Sequence, residues 1–197
     1  MDDTLMKDMK ITTQKIIAIL EKLDRPFATT GGVAAITYGD PRTTRDIDFI
    51  MEVNPWERDF AHTMADLCGD DFYFSIEGCQ EAIAEQTMFQ AIDKETMFKV
   101  DFHLSDIVPD SLERRREVTI MTGQTVPMVS PEDSILSKLV WIKLGSGHSR
   151  KDVVAMLRVQ ENLDNDYLES TAEQLGVKSI LDELREIAES YDPNVIL

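Results

Sequence analysis

The chain has 197 residues, 43% of them hydrophobic, and carries 37 acidic against 20 basic side chains for a formal charge of −17. This composition fits a folded globular protein with a substantial core and opposes broad nucleic-acid binding, because a polyanion meets a repulsive far field. No run of about 18 apolar residues exists, which excludes a membrane-crossing helix, and the acidic start Met1-Asp2-Asp3 lacks the layout of a signal peptide, so the expected compartment is the cytoplasm.

Thr4 to Leu23 carries Met9, Ile16, Leu20 and Leu23 at helical spacing and predicts an amphipathic helix that covers one face of a sheet. Pro26 to Thr30 reads as a short strand, and Val33 to Tyr38 as a short apolar helix ending at Gly39. Asp46-Ile47-Asp48 lies in the next apolar, strand-like run, flanked by Phe49 and Ile50. Asn54-Pro55 pairs a favoured N-cap with a favoured first helical residue, so a helix is expected there with Trp56, Phe60, Met64 and Leu67 as its core stripe. Phe72 to Ile76, Thr87 to Ile92 and Met97 to Leu104 read as strands, the last two joined by the polar turn Asp93-Lys94-Glu95-Thr96. Val118 to Met121 and Val126 to Val129 suggest a hairpin. From Pro131 the pattern turns helical, with Ser130 as N-cap and Glu132 and Asp133 complementing the helix dipole. Gly145-Ser146-Gly147 interrupts it, and further helices are expected near 150–162, 167–175 and 179–190. The fold class is therefore α/β (α+β), a mixed-sheet domain over 1–129 followed by a helical region over 130–197 that packs on it. Cys68 and Cys79 are too few for a disulfide framework and read as reduced structural thiols.

Asp46-Ile47-Asp48 carries the chemistry. In a strand, residues i and i+2 share a face, so the two aspartates project together while Ile47 and Phe49 enter the opposite layer. Lys99, Asp101 and His103 share a face of a second strand in the same way. If these strands are neighbours, three carboxylates converge. Like charges about 6 Å apart repel by about 3 kcal/mol per pair at an effective dielectric of about 20, and a divalent cation removes that cost. Hard oxygen ligands suit Mg²⁺ or Mn²⁺, which keep positions open for water and phosphates. Gly31 and Gly32 at a helix N-terminus would let a phosphate approach free backbone N–H groups closely.

Gly31-Gly32, then Arg42-x-Thr44-x-Asp46-Ile47-Asp48, then Asp101 in a later strand resembles the nucleotidyltransferase superfamily with a polymerase-beta type catalytic domain, over residues 26–104. Ser130-Pro131-Glu132-Asp133 leading into Lys138, followed by Arg150-Lys151-Asp152, is similar to the abortive-infection branch of that superfamily, whose members include toxin components of toxin–antitoxin pairs. The resemblance implies two Mg²⁺ or Mn²⁺ ions on Asp46, Asp48 and Asp101, and a nucleoside triphosphate such as ATP as donor. It implies a nucleotide site of Gly31, Gly32, Arg42, Lys138 and Asp152, with Asp101 nearest the acceptor. The acceptor it implies is an RNA 3′ end, a protein hydroxyl or a small molecule, and an antitoxin-like protein is the expected partner.

Bland readings stand beside these. Arg42 either meets phosphate through its planar fork or forms an ion pair with Asp40 or a nearby carboxylate. Lys138, at helical spacing from Ile135 and Ile142, either binds triphosphate or snorkels along an apolar stripe, and Asp152 either orients Lys138 or simply opens the next helix. Lys143 reads as structural. His103 and His148 read as ordinary polar residues, and Arg114-Arg115-Arg116 is either a solvated charge run or a local basic patch for RNA. Two other enzyme classes use Asp-x-Asp. A dehalogenase-like phosphatase needs a small residue and Thr soon after the second Asp, where this chain has Phe49-Ile50-Met51, and a glycosyltransferase has no need of Gly31-Gly32. A non-catalytic nucleotide-binding or toxin–antitoxin interaction module on the same scaffold is the alternative.

Overall fold

The computed structural model describes residues 3–57, 59–105 and 107–190. In chain order it contains α1 (Asp3–Lys22), β1 (Phe27–Thr30), α2 (Gly31–Tyr38), β2 (Asp46–Met51), α3 (Phe60–Cys68), β3 (Phe72–Phe74), α4 (Ile76–Glu85), β4 (Met88–Asp93), β5 (Lys99–His103), β6 (Arg116–Thr119), β7 (Thr125–Met128), α5 (Pro131–Lys143), α6 (Ser149–Val159), α7 (Asn165–Gln174) and α8 (Lys178–Glu189). The strands form one mixed sheet in the order β3-β4-β5-β2-β1-β7-β6. Two pairs are parallel, β2 with β5 and β1 with β7, and the others are antiparallel.

Strand alternation sorts the two faces. Phe49 of β2, Phe102 of β5 and Phe89 of β4 stack across the sheet with centroids 6.0 and 4.7 Å apart, and Phe60 of α3 meets Phe89 edge-on at 6.1 Å. Offset and edge-to-face contacts of this kind add to what burial alone contributes. Met9, Ile16 and Leu20 of α1 are fully buried, as their spacing predicts. The opposite face carries Asp46 and Asp48, so a shift of register by one residue would put these charges in the aromatic core. Over that end of the sheet α2 packs on β1 and β2, and both α5 and α6 pack on α2, with α7 and α8 outside them.

Two sequence expectations need correction. The helix expected at Asn54-Pro55 begins only at Phe60, because the Asn54 side chain accepts a hydrogen bond from the Trp56 N–H at 2.9 Å and closes a turn instead of capping a helix. Trp56 is consequently 85% exposed and not part of the core. The strand expected to run to Ile76 stops at Phe74. The Ser75 hydroxyl accepts from the Gly78 N–H at 3.0 Å and starts α4, which buries Cys79, Ala82 and Ile83 at helical spacing. The expected polar turn after β4 also holds a buried anchor, since Asp93 is bonded by Thr12 and Lys15 of α1, each at 3.0 Å.

Candidate functional site

Gly31 has φ +59°, and a Cβ placed on it would lie 2.1 Å from the Asp48 Oδ2, so both its backbone and its space demand glycine. A Cβ on Gly32 would lie 2.6 Å from the Thr44 Oγ1. The two glycines form the first turn of α2 rather than a loop before it, and the Gly32 N–H donates to the Asp48 Oδ2 at 3.2 Å. Backbone donors of the first helical turn therefore face the Asp-x-Asp strand.

β2 and β5 are neighbours in parallel register, with Asp48 beside Asp101 and Asp46 beside Lys99. Each carboxylate is held separately. Asp46 accepts from the Thr44 hydroxyl at 2.7 Å, Asp48 lies 3.4 Å from the His103 Nε2, and Asp101 Oδ2 takes the Lys99 ammonium at 2.8 Å. Among the described residues no three His, Cys, Asp or Glu side chains are drawn together around one point that would hold a metal ion. The donor set nevertheless suits a hard divalent cation, because Asp101 Oδ1 is buried with no hydrogen-bond partner among the described residues. Burial pushes the Asp101 carboxyl above the usual carboxylate range, Lys99 opposes this, and the neighbouring Asp48 charge adds to it. Asp46 and Asp48 line the cavity in front of the sheet, whereas Asp101 does not.

The far wall comes from the C-terminal helices. Asp152 of α6, 8% exposed, receives the Arg42 guanidinium through Nε at 2.7 Å and Nη2 at 2.8 Å, and the Lys138 ammonium at 2.8 Å. Burial alone would raise the Asp152 pKa, but the Arg42 bond and the Lys138 charge outweigh it and hold the carboxyl below the usual range. Asp152 thus orients Lys138 and also claims the fork of Arg42. The ion pair expected as the alternative for Arg42 does form, with Asp152 as its carboxylate and not Asp40, which pairs with Arg158. Lys138, Arg42, Gly31, Gly32, Asp46, Asp48 and Asp152 all line one cavity of about 390 Å³, within the size range of small-molecule sites. Sequence reasoning set aside His103 and His148 and overlooked Trp141, and all three line the same cavity.

The arginine triplet is tied into the fold. Arg114 binds Asp133, which is 1% exposed, at 2.9 Å and stacks on Tyr167, Arg115 donates to the Leu112 carbonyl, and Arg116 reaches Glu132 at 3.5 Å. Arg115 and Arg116 remain exposed, so the triplet is a surface charge run anchored at Arg114. Lys143 is structural as expected, donating to the Leu175 carbonyl at 3.1 Å. Cys68 and Cys79 are buried free thiols, each pushed up to about 12 by burial. No described helix is long and apolar enough to cross a membrane.

Residues 17–187 match the family model described as nucleotidyl transferase AbiEii toxin, type IV toxin–antitoxin system. No curated protein matches the sequence. An antigenic nucleotidyltransferase-like protein from Paracoccidioides brasiliensis is similar in fold at TM-score 0.55 and 18% identity, covering 94% of this chain and 93% of that one. The antibiotic-resistance factor ANT(2″)-Ia follows at TM-score 0.48 and 16% identity, covering 96% and 91%. The lincosamide antibiotic adenylyltransferase LnuA stands at TM-score 0.46 and 13% identity, covering 78% and 97%.

Proposed function

This chain belongs to the AbiEii nucleotidyltransferase family of type IV toxin–antitoxin systems, and on that premise we propose that it moves a nucleotidyl group from a nucleoside triphosphate to an acceptor hydroxyl in a metal-dependent reaction. The observation that carries this reading is one cavity with Gly31, Gly32, Asp46 and Asp48 at one wall and Lys138 and Asp152 at the other. Asp46, Asp48 and Asp101 would hold Mg²⁺ or Mn²⁺, two ions on the family pattern. When bound, the metal supplies charge stabilisation at the transferring phosphorus and makes the acceptor oxygen easier to deprotonate.

The chain's own groups complete the chemistry. Backbone N–H groups at the Gly31-Gly32 turn donate to phosphate oxygens, that of Gly32 in exchange for its bond to Asp48, and Lys138 offsets the charge that develops on leaving pyrophosphate. Arg42 assists from its pair with Asp152. On the family pattern Asp101 is the carboxylate nearest the acceptor and, in its ionised form, helps deprotonate it. The charge of −17 and the tied arginine triplet favour an acceptor recognised near the cavity, whether an RNA 3′ end, a protein hydroxyl or a small molecule, over one tracked along a basic groove. The catalytic unit spans 1–129 and the helical unit 130–197, with the nucleotide held between them. An antitoxin protein is the expected partner.

The test incubates the protein with each triphosphate labelled at the α-phosphate, with Mg²⁺ and cell lysate, and separates RNA, protein and metabolites. Label should appear in one fraction and vanish in chelator. A Lys138→Met variant, which keeps the packing stem, should lose about 1.5–3 kcal/mol of triphosphate binding. Triphosphate binding without label transfer would support the non-catalytic module instead, and wild-type affinity in Lys138→Met would remove that lysine from the site.

A further inference from the structure

α5 is buried along most of its length, yet Ser134, Ser137, Lys138 and Trp141 all line the cavity. These positions are i, i+3, i+4 and i+7, the spacing that keeps side chains on one helical face. The stripe that an amphipathic helix normally gives to apolar packing is here turned to the cavity, and its last member is an indole, 43% exposed. A flat aromatic surface left half in solvent, on a helix face whose other cavity-lining members are Ser134, Ser137 and Lys138, is not explained by packing.

Resting on the reading of the cavity as a triphosphate site, we propose that Trp141 is the platform on which the base of the donor nucleotide stacks, and that the site ranks donors by stacking area, purines ahead of pyrimidines, instead of reading the base edge. Trp141 lies three residues beyond Lys138, about 4.5 Å along the helix axis, and long helical side chains lean back toward the N-terminus. A triphosphate tail held at Lys138 and the Gly31-Gly32 turn therefore delivers its nucleoside toward the indole. Other polar groups of the lining are the hydroxyls of Ser137, Ser146 and Ser149, the last two bonded to each other at 2.9 Å, and the single imidazole of His148. Hydroxyls donate or accept equally well and impose no fixed pattern on a base edge. Among the described lining residues there is no Asn or Gln, the side chains that read adenine with two bonds, and the Arg42 fork is taken by Asp152. Every base has a face to stack, so discrimination reduces to the area of that face.

The chain has two tryptophans, and Trp56 is 85% exposed and outside the cavity lining, so Trp56→Phe leaves Trp141 as the sole tryptophan, read by selective excitation of the indole. This variant is titrated in Mg²⁺ with ATP, GTP, CTP, UTP, inorganic tripolyphosphate and a short oligoribonucleotide. Nucleoside triphosphates should quench the indole and tripolyphosphate should not, with purines binding several-fold tighter than pyrimidines. By calorimetry, Trp141→Ala should weaken ATP binding on the order of 10-fold while leaving tripolyphosphate unchanged, and Trp141→Phe should restore most of the loss. Equal wild-type affinity for ATP and tripolyphosphate, or an unchanged ATP affinity in Trp141→Ala, overturns the stacking role and leaves the triphosphate site standing. Quenching by the oligoribonucleotide alone overturns it in favour of acceptor binding. Failure of the wild type to bind either ATP or tripolyphosphate overturns the triphosphate reading itself.

Discussion

Replacing Asp101 with Asn should stabilise the metal-free protein. Asp101 sits beside Asp48 in adjoining parallel strands, but the Lys99 ammonium, 2.8 Å from Asp101, offsets more than Asp48 adds, so the net cost of the charge comes first from its burial. One pKa unit of such a cost corresponds to about 1.4 kcal/mol, so deleting the charge at constant shape should relieve on the order of 1 kcal/mol, and a chain of this length gains about 2–4 °C in Tm per kcal/mol. Thermal melts in chelator at pH 7 should therefore place Asp101→Asn about 2–4 °C above wild type. The sign with pH follows from the raised Asp101 pKa, which burial causes first and Asp48 reinforces against Lys99. As pH rises through the ordinary Asp range near 4, the unfolded chain releases its proton before the folded one, so wild-type stability falls across that window and the variant is spared. Below that window the advantage disappears. Added Mg²⁺ should reverse the order, since a ligand at 100 times its Kd stabilises the wild type by about 2.7 kcal/mol and the variant has lost one ligand. A variant that melts below wild type in chelator and keeps the full Mg²⁺ response would refute both the burial cost and the ligand assignment.

Asp152→Asn leaves Arg42 and Lys138 without their shared anion. Breaking a buried pair costs about 3–5 kcal/mol, reduced because the Arg42 side chain is 43% exposed, so a loss of about 2–3 kcal/mol is expected in denaturant melts. Because the folded Asp152 pKa is depressed, its contribution is complete above the ordinary Asp range and is lost as pH falls through the folded value. The gap between variant and wild type should close in acid, and a pH-independent gap would place the effect elsewhere. Arg114→Ala should cost about 1–3 kcal/mol of stability, because the buried Asp133 loses its cationic partner and keeps the Ser130 and Tyr167 hydroxyls, with KM for the acceptor unchanged in the folded fraction. Normal melting with a raised KM for RNA would restore the basic-strip reading.

The strands that carry the site were legible because their signals are local. Alternation in Asp46 to Met51 and Lys99 to His103 assigns each face without knowledge of the neighbour, and Ser130-Pro131 starts α5 by a cap whose hydroxyl accepts from the Asp133 N–H. α3 and α4 failed for the same reason in reverse. Asn54 and Ser75 each carry a side chain able to cap a helix or close a turn, and the choice depends on which backbone N–H comes within reach two or three residues on. The aromatic run Phe72-Tyr73-Phe74 then drew Ile76 into a strand that Ser75 ends.

At the site, the glycine pair, Asp-x-Asp and the pairing of Asp152 with Lys138 were legible, while the second partner of Asp152 was not. Asp152 and Arg42 are 110 residues apart, and no periodicity in either segment encodes their meeting. Trp141 was a different kind of miss, since Ser134, Ser137, Lys138 and Trp141 repeat at helical spacing and a half-polar stripe ending in an indole was present in the sequence. Lys99 is the more instructive case. Placed two residues before Asp101, it had to share that residue's face, yet convergence was argued from three carboxylates alone. With the lysine counted, the metal-free site holds three negative charges and one nearby positive charge, so it carries less repulsion than the carboxylates alone imply. Any metal that reaches Asp101 must then either displace the Lys99 ammonium from Oδ2 or bind through the buried Oδ1, the one carboxylate oxygen of the pair that has no partner among the described residues.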